Sequence, residues 1–481
     1  MKQANSYDIT EFGAVGDGQT LNTQAIQRAF AAVKEHGAGQ VVVPPGTYLT
    51  GSLQIFAHTE LYLMPGSVLL GSPNLEDYTF DGPIAQRERD PFDNPAMQDR
   101  HLILLHQAHG VTIRGPGIID GNGESFWDPP QNPAVRKWWT HRKWQRPCPM
   151  ISVVACQDLR MEGLTIRNSP GWTVELLNCD RVVVHGTQVQ NNFWGPNTDA
   201  FDICGSRDVM ISDCHIVCGD DAFCIKTMPH TRSAERITIT NCIMRTNCVG
   251  LKLGCYESHK DMRQITFTNN VVYNSSRAVG IYNFKGATFE DIIISNLVCD
   301  DDNELILNRP IHIDLRHETE MGWGGESPSG HAGIVRRVQI SNVIARSRGR
   351  ILLTNADGGT MSDIVLRDIH VHYEEVEDPE EPAKQTNSGQ FGRHSPAAQI
   401  ARAVLVADGV TRLQVHNLLI DWPQSGPWSG DSGLPAWHAG WFRNCSGLLD
   451  APFAHASSPA ANCWHNVDGN GPQVRSAEIH D

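Results

Sequence analysis

A short β-branched run that closes on Gly, Asn or Asp recurs through this chain, and no other feature limits the fold so tightly. The series is Met161-Glu-Gly163-Leu-Thr-Ile, Val182-Val-Val-His-Gly186, Val209-Met-Ile-Ser-Asp213, Ile237-Thr-Ile-Thr-Asn241, Ile265-Thr-Phe-Thr-Asn269, Ile292-Ile-Ile-Ser-Asn296, Val338-Gln-Ile-Ser-Asn342, Ile364-Val-Leu-Arg-Asp368 and Leu413-Gln-Val-His-Asn417. The closing residues from Gly163 to Asn296 fall roughly 23 to 28 positions apart, the length of one solenoid coil. Alternation within a run, as in Ile237, Thr238, Ile239 and Thr240, turns one face inward and the other outward. No helical 3.6-residue period separates the runs, so the expectation is an all-β chain whose stacked coils form parallel sheets.

Residues 22–35 break the pattern. Ala25, Ile26, Ala29, Phe30 and Val33 share one helical face, with Gly37 and Gly39 beyond it, which predicts an amphipathic helix capping the open end of the solenoid. Three excursions leave the repeat, near 126–149, 317–330 and 374–398, and loops leaving one face of a solenoid commonly build its cleft. The expected organisation is one domain over 1–481, with a cap region at 1–50, coils over 51–450 and a tail at 451–481.

Composition narrows the partners. A formal charge of -15 leaves no basic stripe for a nucleic-acid backbone, and no apolar run is long enough for a membrane span. Thirteen irregularly spaced Cys, several inside apolar runs, read as buried thiols of a reduced compartment. The polar stretch 1–11 lacks the pattern of a secretory signal, so the expected location is cytoplasmic, or outside the cell if a leader has been removed. No Cys/His spacing fits zinc, and no Gly-rich strand-loop-helix fits a phosphate or dinucleotide, so neither metal nor cofactor is expected.

The chemistry points to carboxylates. Gly195-Pro-Asn-Thr-Asp199 and Cys218-Gly-Asp220-Asp221 lie nearly one coil apart, the separation of Asp199 from Asp220 being 21, so three carboxylates converge on one face. Close carboxylates repel, which holds a proton on one of them. Glycoside hydrolysis needs that pair: an acid for the leaving oxygen and a carboxylate as base or nucleophile. Asp202 falls outside this set.

Asn197-Thr198-Asp199, Gly219-Asp220-Asp221, Asn168-Ser-Pro-Gly-Trp172 and Ile118-Ile-Asp120-Gly-Asn-Gly123 resemble the polygalacturonase-like family 28 glycoside hydrolases. Phe12-Gly-Ala-Val-Gly-Asp-Gly18 and Val43-Pro-Pro-Gly-Thr-Tyr48 are similar to the opening of the wider pectin-degrading group. The resemblance implies a right-handed parallel β-helix and single-displacement hydrolysis with inversion. It assigns Asp220 as the acid, and Asp199 with Asp221 as the carboxylates that activate water. It also exposes departures. Val249 stands where the family's Gly-His-Gly has its His, and Gly280 and Tyr282 replace the two cations of Arg-Ile-Lys, which argues against unmodified polygalacturonan. Lys252 is the candidate replacement cation, and Asn197, Glu257, Arg277, Tyr282 and Lys285 are the other candidate sugar contacts. Trp127, Trp138, Trp139, Trp144, Trp323, Trp422, Trp428, Trp437 and Trp441 are candidate walls of the cleft, and a groove closed by such loops implies exo action on an oligosaccharide. Two other readings stand beside hydrolysis: a lyase or epimerase using Lys252 or Tyr282 as the base, and a silent carbohydrate-binding β-helix.

Overall fold

The closing residue of every repeat run takes the left-handed conformation, which Gly, Asn and Asp enter at the least cost. In the computed structural model φ is 66° at Gly163, 60° at Gly186, 58° at Asp213, 56° at Asn241 and 58° at Asn269. It is 52° at Asn296, 54° at Asn342, 53° at Asp368 and 54° at Asn417. The structure describes residues 5–79, 100–132, 140–141, 146–301, 308–317, 330–380, 395–423, 437–450, 452–454, 463–468 and 471–475. They divide into two compact units, one built on Met1–Ile243 and one on the chain from Met244 onward.

In the first unit each coil holds three strands. Val174–Leu177, Asp180–His185 and Gln188–Gln190 make one coil; Phe201–Cys204, Arg207–Ser212 and His215–Cys218 make the next. Every strand pairs in parallel with its counterpart, as in Val182↔Val209 and Val209↔Ile237, so the apolar positions stack through the interior as a right-handed parallel β-helix. In the second unit the two strands of a coil side lengthen into one, so that Thr288–Asp301 runs parallel to Ile334–Ser347. There the turn amides bond one another: Asn296 Nδ2 donates to Asn269 Oδ1 at 2.8 Å and Asn342 Nδ2 to Asn296 Oδ1 at 2.7 Å.

A second left-handed turn escapes the sequence pattern because it uses charged residues. Asp158, Arg181, Asp208 and Arg236 have φ between 56° and 59° and alternate in sign from coil to coil. Arg181 Nε lies 2.7 Å from Asp158 Oδ1, and Arg236 Nε lies 2.6 Å from Asp208 Oδ1. Solvent screens these exposed pairs, so they fix the turn more than they stabilise the fold.

Helix α1 spans Thr23–His36, buries Ala25, Ile26, Ala29, Phe30 and Val33, and ends at Gly37 with φ 87°. It covers the strand end at Leu53–Ile55, where the Gln27 side chain accepts from Gln54 N at 2.8 Å and donates to Gln54 O at 3.0 Å. The helix lies where its apolar face predicts it. Coil strands already occur inside 1–50, where Ser6–Asp8 pairs with Gly39–Val43, and inside 451–481, where Trp464–Asn466 pairs with His438–Arg443. Extended backbone at either end of the chain gains its hydrogen bonds by joining the ladder. No disulfide joins any of the 13 Cys.

Candidate active site

Four parallel strands build the floor of the first unit's site: β1 (Ile151–Val154), β2 (Val174–Leu177), β3 (Phe201–Cys204) and β4 (Phe223–Thr227). Register sets Val174, Phe201 and Phe223 in line, and their side chains form core, the two phenyl rings stacking at 5.6 Å. The alternate positions form two ladders on the other face, Ser152, Glu175, Asp202, Cys224 and Val154, Leu177, Cys204, Lys226. Asp202 is 0% exposed and Lys226 2%. The turn carrying Arg146 and Cys148 contributes to this burial, Cys148 packing with Trp172, Leu177 and Cys204.

The loops leading into β3 and β4 hold the three expected carboxylates, and register decides how they meet. Phe201 pairs with Phe223, an offset of 22, and Ala200 N donates to Asp221 O at 2.9 Å. Followed back two and three residues, the same register sets Asp199 against Asp221 and Thr198 against Asp220. The 21-residue spacing therefore does not align Asp199 with Asp220; the coil is one residue longer. Thr198 locks the two loops together, accepting from Gly219 N at 2.9 Å and donating to Gly195 O at 2.9 Å. Glycine is required at 219, since a Cβ there would stand 2.2 Å from Gly195 O. Asp199 and Asp221 are buried, Asp220 is half-buried, and one oxygen each of Asp220 and Asp221 come within 4.8 Å. Asn197, left-handed at φ 52°, accepts from Arg146 Nη2 at 3.2 Å.

Sequence reasoning missed Asp202 and Lys226. Lys226 Nζ lies 2.7 Å from Asp202 Oδ1, 3.4 Å from Asp199 Oδ2 and 3.3 Å from the centre of the Trp172 ring. An oxygen of Asp199, one of Asp202 and Cys224 Sγ gather within 4.8 Å, a donor set fit for a cation, and the ammonium is the cation beside it. A signal was present: Lys226 interrupts the otherwise apolar Phe223-Cys-Ile at an alternate position, where a charge needs a buried partner.

The second unit carries charge of the opposite sign on β5 (Val249–Ser258), β6 (Arg277–Asn283) and β7 (Arg309–Leu315). Register aligns Arg277 with Arg309, Lys252 with Gly280 and His312, and Gly254 with Tyr282 and Asp314. Arg277, Arg309, Arg316 and Arg350 are all at most 5% exposed. Burial and the neighbouring Arg277 pull the Arg309 guanidinium down to about 10, and burial with four surrounding arginines drives His312 well below its ordinary range, so its imidazole is neutral. The Tyr282 hydroxyl bridges Arg277 Nη1 and His312 Nδ1, each at 3.2 Å. Its ring lies over Gly280, where a Cβ would meet it at 2.6 Å. The Gly280 and Tyr282 that break the family pattern are thus one packing unit. The acids set against these cations are Asp314, 3.4 Å from Arg316 Nη1, and Glu377, whose carboxyl burial raises to about 7.

Among the other expected contacts, Lys252 and Glu257 are half-buried, and Lys285 is 0% exposed, its backbone N donating to Ser258 Oγ at 3.1 Å. Arg350 serves the fold: its guanidinium gathers the carbonyls of Ala398, Gln399 and Ala401 at the end of the helix Pro396–Gln399. The aromatic wall is corrected in part. Trp127 is buried with Nε1 donating to Pro170 O at 3.0 Å, and Trp437 is buried edge-on to Trp422, so both are packing. Trp441 is also buried, packing with Leu352, Ala403 and Val406. Trp138, Trp139, Trp144, Trp323 and Trp428 lie outside the described residues. No helix among the described residues is long and apolar enough to cross a membrane.

Comparison with known proteins shows the family and the fold. The model of the glycosyl hydrolases family 28 matches residues 82–388, and a rhamnogalacturonase A/epimerase, pectate lyase-like model matches residues 6–73. A probable polygalacturonase of Vitis vinifera is 32% identical over 229 residues, which cover 47% of this chain and 45% of that one. An exopolygalacturonase of Zea mays is 25% identical over 323 residues, covering 65% and 70%. The match therefore spans less than half of the grape relative. Two solved structures share the fold: an exopolygalacturonase of Thermotoga maritima has TM-score 0.62 at 21% identity over 78% of this chain and 88% of its own. A family 28 exopolygalacturonase of Yersinia enterocolitica has TM-score 0.66 at 16% identity over 98% and 78%.

Proposed function

Because the chain belongs to the glycosyl hydrolases family 28, we propose that it hydrolyses O-glycosidic bonds of a pectin-related oligosaccharide by single displacement, from a chain end. The observation that carries this reading is the loop pair locked by Thr198, which gathers Asp199, Asp220 and Asp221. In the proposed reaction Asp220, the most accessible of the three, protonates the leaving oxygen. Asp199 and Asp221 take the proton of a water that attacks the anomeric carbon from the opposite face, so the new hemiacetal has inverted configuration. The maize relative's name supports exo action.

The test is incubation with oligogalacturonates and other pectic fragments, with the product anomer read by proton NMR and fragment length by chromatography. Inverted mono- or disaccharide product is expected. Retained configuration overturns the mechanism, and a random ladder of lengths overturns exo action. An unsaturated, ultraviolet-absorbing product would instead make it a lyase. Against that outcome, Tyr282 is buried with its hydroxyl pushed up to about 12, the wrong direction for a base. Sugar binding without product would favour a silent carbohydrate-binding protein.

A further inference from the structure

We propose that Lys226 is a positioning residue for Asp199, held in place by Asp202, so that the water-activating carboxylate stays ionised and fixed while its surroundings are dry. The inference rests on the reading of Asp199 as a water-activating group. Three observations support it. Lys226 sits on β4 and is 2% exposed, so its ammonium cannot be solvated and must be paired. Its partners are graded: Asp202 Oδ1 at 2.7 Å is the anchor, and Asp199 Oδ2 at 3.4 Å is the group acted upon. The Trp172 ring, 3.3 Å away, roofs the ammonium and adds a cation–π attraction, so Lys226 has one place to be.

The arrangement explains why an otherwise unused acid is buried at Asp202. Two carboxylates side by side in an apolar setting would drive one another to hold protons. An ammonium between them removes that tendency, and tying it mainly to Asp202 leaves Asp199 charged but loosely enough bound to accept a proton during turnover. The other groups facing this cluster are Glu175 beside Asp202 on β2, Arg146 and Cys148 on the overlying turn, Cys224 on β4, and Asp220 and Asp221 on the next loop. Arg146 remains in every variant below, so Lys226 accounts for part of the positive field.

The test compares Lys226→Met, Lys226→Arg and Asp202→Asn with the parent protein by two readouts. The first is the acidic limb of kcat/KM against pH on oligogalacturonates of two to five units. The second, independent of turnover, is infrared titration of the protonated-carboxyl stretch of Asp199, assigned by its loss in Asp199→Asn. An opposite charge at this range shifts a carboxylate by about 1–2 pH units. In Lys226→Met both midpoints should therefore rise by about that much, and Lys226→Arg should restore them. Asp202→Asn removes a negative neighbour and should move both midpoints down. A merely structural ion pair would lower activity in Lys226→Met and Asp202→Asn without moving the midpoints in opposite directions. An unchanged infrared midpoint in folded Lys226→Met, or shifts of the same sign in the two variants, overturns the proposal. A parent protein inactive on every oligogalacturonate counts against the hydrolase reading, and the infrared midpoints still decide the role of Lys226.

Discussion

The two units use the same stacked-coil scaffold for opposite electrostatics. In the first, Asp199 and Asp202 are buried around one lysine; in the second, Arg277, Arg309, Arg316 and His312 are buried near Asp314 and Glu377. Parallel register brings position i of one coil against its counterpart on the next, so a residue type repeated at coil spacing becomes a cluster. The backbone is indifferent to its sign. The cost differs: acids can shed charge by taking a proton, whereas guanidiniums stay charged and must find anions. An acidic cluster is thus suited to moving protons, and a guanidinium cluster to holding an anion.

That contrast can be broken by substitution. Asp220→Asn should lower kcat by roughly 10²–10⁴-fold, the usual worth of a general acid, while thermal unfolding stays close to that of the parent because the side chain is half-buried. Arg309→Met in the second unit should do something different. Calorimetry should show a higher melting temperature, since a crowded buried cation has been replaced by an apolar chain. A lowered melting temperature would mean that the cluster is there for stability.

Glu377 sharpens the comparison through pH. Burial raises its carboxyl from 4.5 to about 7, against the opposing pull of Arg309, Arg350 and Arg348. The folded protein then holds a proton that the unfolded chain has lost, so this contribution is complete below pH 4.5 and is lost as pH rises through about 7. Denaturant titrations across that window should show Glu377→Gln flattening the slope seen in the parent. The smallest effect is expected outside both sites. Asn342→Ala removes an amide bonded at 2.7 Å to Asn296 and forces a Cβ residue without that amide to hold φ 54°, at about 1–2 kcal/mol of stability. Asn342→Gly should recover most of that loss, with activity unchanged in both.

Much of this was open to reading in the sequence, and the reason is local. The coil period is legible because the left-handed turn admits few residue types, so Asn241 or Asn296 announces itself, while the parallel turn at Arg181 and Arg236 does not. Helix α1 was legible from its apolar face and Gly37. At the site, Asp199, Asp220 and Asp221 could be picked out because hydrolysis needs carboxylates in pairs. Lys226 shows in the sequence only as a charge breaking an apolar run; its partners Asp202 and Trp172 are 24 and 54 positions away and become neighbours only when coils stack.

By itself, then, the sequence determined the repeat, the strand faces, the capped end and the residues that could carry acid–base chemistry, since each follows from a residue and its near neighbours. Only the tertiary structure decided that coil register sets Asp199 against Asp221 rather than Asp220, and that Asp202 clasps Lys226. It also decided that Arg277 and Arg309 fall in register on neighbouring coils. The physical reason is that a one-residue difference in coil length leaves no mark on composition or periodicity, yet it shifts every later side chain against the coil below.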